Sequence, residues 1–106
     1  MGGRFMRILV FFDVPMETLN EQKEYRNFRN HLIKHGFLMV QKSVYSKIVL
    51  NPVSMELTKE FVRNHLPTFG TIQMLCITEK QFASIEYLLG KKISDVVDSE
   101  KRVVEI

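Results

Sequence analysis

The chain has 106 residues, 45% of them hydrophobic and 25% charged, with a net charge of +3. That length supports one domain around one core, and that composition excludes a disordered chain. No apolar run approaches the roughly 20 residues of a membrane span, the opening MGGRFMR has no apolar stretch with a cleavage site behind it, and the lone Cys76 suits a reducing cytoplasm.

Charge is unevenly placed. From Lys23 to Lys47 there are six Lys or Arg residues and one acid, Glu24, with His31 and His35 in addition. From Glu79 onward the charges are close to balanced. A basic sector on a near-neutral protein is a candidate phosphate-binding surface.

Residues 1–5 read as a short N-terminal extension. Met6 to Asp13 is a run of strand length, apolar but for Arg7 and the closing Asp13, as expected of a central strand covered on both faces. Asp13, Pro15 and Thr18 end it. TLNE (Thr18 to Glu21) has the spacing of a capping box. The helix it opens is expected to run to about His35 and stop at Gly36. Tyr25, Phe28 and Leu32 form its buried stripe, while Lys23, Arg26, Asn30 and Lys34 share the exposed side and Arg29 lies between the two.

Phe37 to Leu50 is extended, either one bent strand or two. Leu38, Val40, Val44, Ile48 and Leu50 alternate on one face, and Gln41, Ser43, Tyr45 and Lys47 on the other. Asn51 and Pro52 start a second helix that ends before Pro67. PTFG makes a turn, and Thr71 to Thr78 forms another strand. TEKQ (Thr78 to Gln81) is a second capping box, for a helix expected to reach Leu89 with Gly90 as its stop. Residues 91–106 read as a polar connector and a short final strand, RVVEI.

Two helices interleaved with about four antiparallel strands predict a single α+β domain over residues 1–106, a ferredoxin-like sandwich with both main helices on one face of the sheet. The other face is left bare. If apolar it must be buried, so a homodimer through the sheets is expected.

Among the residues that could carry chemistry, Asp13 has two readings. A strand-terminal aspartate can cap the following turn, or it can hold Mg²⁺, which takes oxygen ligands and often only one or two protein carboxylates. One aspartate per chain makes a poor cation site, and two across a dimer axis an adequate one. His31 and His35 have zinc-like spacing, but no third ligand follows, so they read as solvated histidines on a basic helix. Cys76 alternates with Ile72 and Met74 and reads as core. QKSVYSK (Gln41 to Lys47) offers hydroxyls, an amide and a cation on one strand face, either as a polar surface or as a phosphate contact. There is no Gly-rich phosphate loop, no GxSxG and no pair of aromatic RNA-stacking strands.

FFDVP, YRNFRNHLIKHGF, VQKSVYSK and GTIQMLCITEKQF, in this order and spacing, resemble CRISPR-associated protein two, the small subunit of the spacer-acquisition machinery. The resemblance runs from about Met6 to Gln81. EYRNFRNHL, QKSVYSK and TEKQF are similar to the branch found beside the single-protein RNA-guided effector nuclease. The resemblance implies a ferredoxin-like homodimer whose final strands pair onto the partner's sheet. It also implies a complex in which that dimer bridges two dimers of the CRISPR-associated integrase and helps insert DNA fragments into the repeat array. By the same resemblance Asp13 is the catalytic Mg²⁺ (or Mn²⁺) ligand, and Arg26, Arg29, Lys42, Ser43 and Tyr45 lie near that site or the DNA.

Two functions follow as expectations. One is a metal-dependent endonuclease acting on RNA or double-stranded DNA. The other is a DNA-binding scaffold without catalysis, in which Lys23, Arg26 and Lys34 grip phosphates without reading bases. A small-ligand regulatory domain would need a Gly-rich effector loop that the chain lacks.

Overall fold

β1 (Met6–Asp13) runs through the interior of a four-stranded antiparallel sheet in the computed structural model, which describes residues 5–91. After α1 (Leu19–Lys34) come β2 (Leu38–Gln41), β3 (Val44–Val49), α2 (Pro52–Arg63), β4 (Thr71–Thr78) and the short α3 (Glu79–Ala83). The strand order is β2-β3-β1-β4, so β1 pairs with β3 on one side and β4 on the other. This is the ferredoxin-like arrangement that the interleaving of elements predicts. Among the described residues, no helix is long and apolar enough to cross a membrane. The predicted connector and final strand lie outside the described residues from 92 onward, as do residues 1–4 of the extension.

The period of two along β1 sorts its side chains. Ile8, Val10 and Phe12 point toward the helices and are buried, in one cluster with Phe28 and Leu32 of α1 and Val62 of α2. The Phe12 ring centre lies 5.2 to 5.6 Å from those of Tyr25, Phe28 and Tyr45, an aromatic nest that ties α1 to the end of β1. Ile72, Met74 and Cys76 of β4 pack against the same cluster, which places the cysteine against the core as expected.

Both predicted capping boxes form. The Thr18 hydroxyl accepts from the Glu21 N–H while the Glu21 carboxylate accepts from the Thr18 N–H, and Thr78 and Gln81 do the same for α3. At α2 the Asn51 side chain accepts from the Ser54 N–H.

One alternative left open by the sequence is settled, and two expectations are corrected. The long extended stretch divides: Lys42 and Ser43 form a turn, and the pairing register shifts between Met39 and Gln41. The predicted helix to Leu89 ends at Ala83, because the Ser84 hydroxyl donates to the Gln81 carbonyl (2.6 Å) and the Ile85 N–H turns back to Phe82. Ile85 to Leu89 then share a groove with Leu9, Phe11, Val40 and Val44 on the sheet face away from the helices. That face is therefore only partly bare: Leu9 is 6% exposed, whereas Leu38 is 71% and Leu75 50% exposed. The second correction concerns His31 and His35, which are half-buried and packed instead of solvated. The His35 ring stacks on Phe61 at 3.8 Å, and His31 lies 4.6 Å from His65, because the end of α2 crosses beside the end of α1.

On the far side of the sheet, Arg7 pins α3. Its guanidinium donates two 2.7 Å bonds to Glu79 and one of 3.0 Å to Ser46, and lies 4.0 Å over the Phe82 ring. These bonds from Arg7 hold the Glu79 carboxyl below its ordinary pKa.

Candidate functional site

Asp13 ends β1 opposite Thr71, the first residue of β4. Two close backbone approaches fix its position. The Phe12 N–H donates to the Ser43 carbonyl at 3.0 Å, drawing the β2–β3 turn onto the strand end. On the other side Gly70, at φ +104°, comes so near that a Cβ there would lie 2.7 Å from the Asp13 carbonyl oxygen and 3.1 Å from Val14. Only glycine fits both the angle and the space.

The Asp13 side chain is exposed. Among the described residues no backbone N–H or side chain donates to its carboxylate, so the turn-capping alternative is not realised. Asp13 lines a shallow depression with Phe11, Phe12, Ser43, Val44, Thr71 and Gln73. Beside the carboxylate are thus two hydroxyls and one amide, all oxygen-bearing.

Ser43 is held in an uncommon conformation. Its φ of +67° is the only positive value for a non-glycine among the described residues. The tight turn between β2 and β3 imposes it, and the Ser43 hydroxyl shares a 3.1 Å hydrogen bond with the Tyr25 hydroxyl. Tyr25 itself is buried.

The remaining sequence candidates divide by location. Lys23, Arg26 and Lys34 are exposed along α1, and Lys42 is exposed on the β2–β3 turn next to Ser43. A 16-residue helix is about 24 Å long, so Lys34 stands at the end of α1 remote from Asp13. Arg29 is half-buried and its Nε donates to the Tyr45 hydroxyl at 3.1 Å. Tyr45 is 3% exposed and faces the helices. This corrects the reading of QKSVYSK as one polar surface: Tyr45 and Lys47 point under α1, and the Lys47 ammonium donates to the His35 carbonyl at 2.7 Å. Desolvation there lowers the Lys47 pKa.

Sequence reasoning missed Thr71, Gln73, Gly70 and Tyr25. Gln73 carried a usable signal, as an amide inside the otherwise apolar TIQMLCIT strand. The other three gain meaning only from what the fold sets beside them.

Among the described residues no three His, Cys, Asp or Glu side chains come together to hold a metal ion. The donor set around Asp13 is nevertheless one of hard oxygens, which fits Mg²⁺ or Mn²⁺ and not zinc. One carboxylate per chain leaves such a site incomplete without a second copy.

Known proteins resemble the chain in sequence and in fold. The family model for CRISPR associated protein Cas2 matches residues 6–85. The chain is 46% identical over 99 residues to the CRISPR-associated endoribonuclease Cas2 of Ligilactobacillus salivarius, covering 93% of this chain and 98% of that one. It is 39% identical over 99 residues to the protein of that name from Treponema denticola, with the same coverage. The crystal structure of Streptococcus pyogenes Cas2 at pH 6.5 superposes with a TM-score of 0.60 at 21% identity, over 78% of this chain and 99% of the other. By sequence and by fold, the chain belongs to the Cas2 family of CRISPR-associated proteins.

Proposed function

We propose that this protein is a CRISPR-associated nuclease that hydrolyses phosphodiester bonds at a site built around Asp13 and completed by Asp13 of a second copy. The observation that carries the reading is an exposed carboxylate with no donor among the described residues, set among Ser43, Thr71 and Gln73 at the rim of the sheet face that exposes Leu38, Ile48 and Leu75. Burying those side chains favours a homodimer through the sheets. Such a dimer supplies the second carboxylate that a single chain lacks.

The Asp13 pair would hold Mg²⁺ or Mn²⁺, which when bound supplies positive charge against the phosphate. The chain's own groups do the rest. Ser43, Thr71 and Gln73 offer hydrogen bonds to phosphate oxygens, and Lys42 adds a cation at the mouth. Lys23, Arg26 and Lys34 extend a sequence-independent grip on the backbone along α1, with the half-buried Arg29 behind them. RNA is the substrate named for the relatives, and double-stranded DNA presents the same phosphodiester.

A second reading keeps the nucleic-acid grip and omits catalysis. In it the dimer bridges CRISPR-associated integrase dimers and holds DNA during spacer acquisition. The single carboxylate per chain favours it. Asp13→Asn separates the two, since the amide keeps the shape and removes the charge. The nuclease reading expects cleavage of labelled RNA or duplex DNA to fall at least about 100-fold with affinity retained. Undiminished cleavage by Asp13→Asn would refute it. Lost cleavage with normal spacer acquisition would assign the biological role to the scaffold.

A further inference from the structure

Ser43 combines three features that a plain turn residue does not need together. It adopts a left-handed backbone that a serine pays for in strain, its carbonyl holds the Phe12 N–H beside Asp13, and its hydroxyl meets a buried tyrosine hydroxyl. Glycine or asparagine would take that backbone at less cost. Backbone strain retained at a residue lining a candidate site points to use of its side chain.

We infer that Tyr25 and Ser43 form a hydroxyl relay that presents the Ser43 O–H to a phosphate oxygen of the nucleic acid at the Asp13 site. Tyr25 is buried between α1 and the sheet, with its ring 5.4 Å from that of Phe12. The 3.1 Å bond between the two hydroxyls allows either as donor, and the relay assigns that role to Tyr25, which leaves the Ser43 proton for the depression shared with Asp13, Thr71 and Gln73. Tyr25 never touches the nucleic acid. It is a positioning residue, and Ser43 is the contact. The relay rests on the functional reading above and deepens it, because it names the donor for the scissile or an adjacent phosphate.

The test uses the full chain with fluorescein-labelled single-stranded RNA and a labelled DNA duplex. Affinity is read in EDTA, single-turnover cleavage in Mg²⁺, and thermal melting alongside. Tyr25→Phe should weaken affinity about three- to tenfold, the worth of one neutral hydrogen bond. Ser43→Gly should show the same loss of affinity with little change in melting, because relief of the positive φ offsets the lost bond to the Tyr25 hydroxyl. Combining the two should cost no more than Ser43→Gly alone.

Parent-like affinity of Tyr25→Phe would overturn the relay, as would a loss seen only in melting temperature. So would a Tyr25→Phe effect that recurs in full on the Ser43→Gly background. The nuclease reading fails separately, if Asp13→Asn still cleaves. The relay then stands or falls on the affinities in EDTA.

Discussion

Gly70→Ala is the substitution whose cost the structure specifies most directly. The new Cβ would meet the Asp13 carbonyl oxygen at 2.7 Å and both the Cα and Cγ2 of Val14 at 3.1 Å. Two of those three atoms are backbone, one in the last residue of β1 and one in the buried residue after it, so neither can swing aside. The φ of +104° adds a conformational cost of about 1–2 kcal/mol for any residue with a Cβ. Together the strain and the forced backbone shift should remove about 2–4 kcal/mol, a large share of the roughly 5–15 kcal/mol by which domains are stable. For a domain of this size that lowers the melting temperature by at least about 8 °C.

Gly90 provides the internal control. Its φ is +87°, yet among the described residues a Cβ there meets nothing within 4 Å. Gly90→Ala should therefore show only the conformational cost, about 1–2 kcal/mol or less. Urea titrations of parent, Gly70→Ala and Gly90→Ala measure the difference, with equal slopes confirming that the folded and unfolded states are comparable. Equal losses for the two variants would refute the steric argument and leave only backbone strain.

Two further outcomes follow from charge. Replacing Lys23, Arg26 and Lys34 with Ala should weaken binding to RNA and DNA alike and reduce the slope of log affinity against log salt by about 0.7–0.9 for each phosphate no longer neutralised; an unchanged slope would make α1 merely solvated surface. The second outcome concerns His35, whose pKa is held below 6.5 chiefly by burial, then by the Lys47 ammonium and by His65. The unfolded chain therefore binds this proton more readily, so stability present above pH 6.5 declines as pH falls from that value through the folded pKa. His35→Phe, which keeps a ring against Phe61, should flatten that limb in melting curves taken across the acid range; an identical slope in the variant would assign it to other groups.

The elements themselves were legible because they are set by local chemistry. An eight-residue strand apolar but for Arg7 and Asp13, two capping boxes and a glycine after Lys34 and His35 each express a backbone preference that needs no distant partner. Asp13 could be found the same way, as a carboxylate where a strand ends. The reach of α3 could not. EKQFASIEYLL has helical character throughout, yet it stops at Ala83, where the Ser84 hydroxyl donates to the Gln81 carbonyl and the Ile85 N–H turns back to Phe82.

The site shows the same division. Alternation along QKSVYSK correctly grouped Tyr45 with Lys47, but which face of the sheet they join depends on where α1 lies. Packing of α1 turned Tyr45 inward to Arg29 and brought Tyr25, 18 residues away in sequence, to the hydroxyl of Ser43. Gly70 and Asp13 are far apart in the chain and meet only because β4 pairs with β1. Periodicity and caps act over a few residues, so they name strands, helices and their ends. Which side chains share a depression is a long-range outcome of how the sheet closes over its core, and the surroundings of Asp13 were decided there.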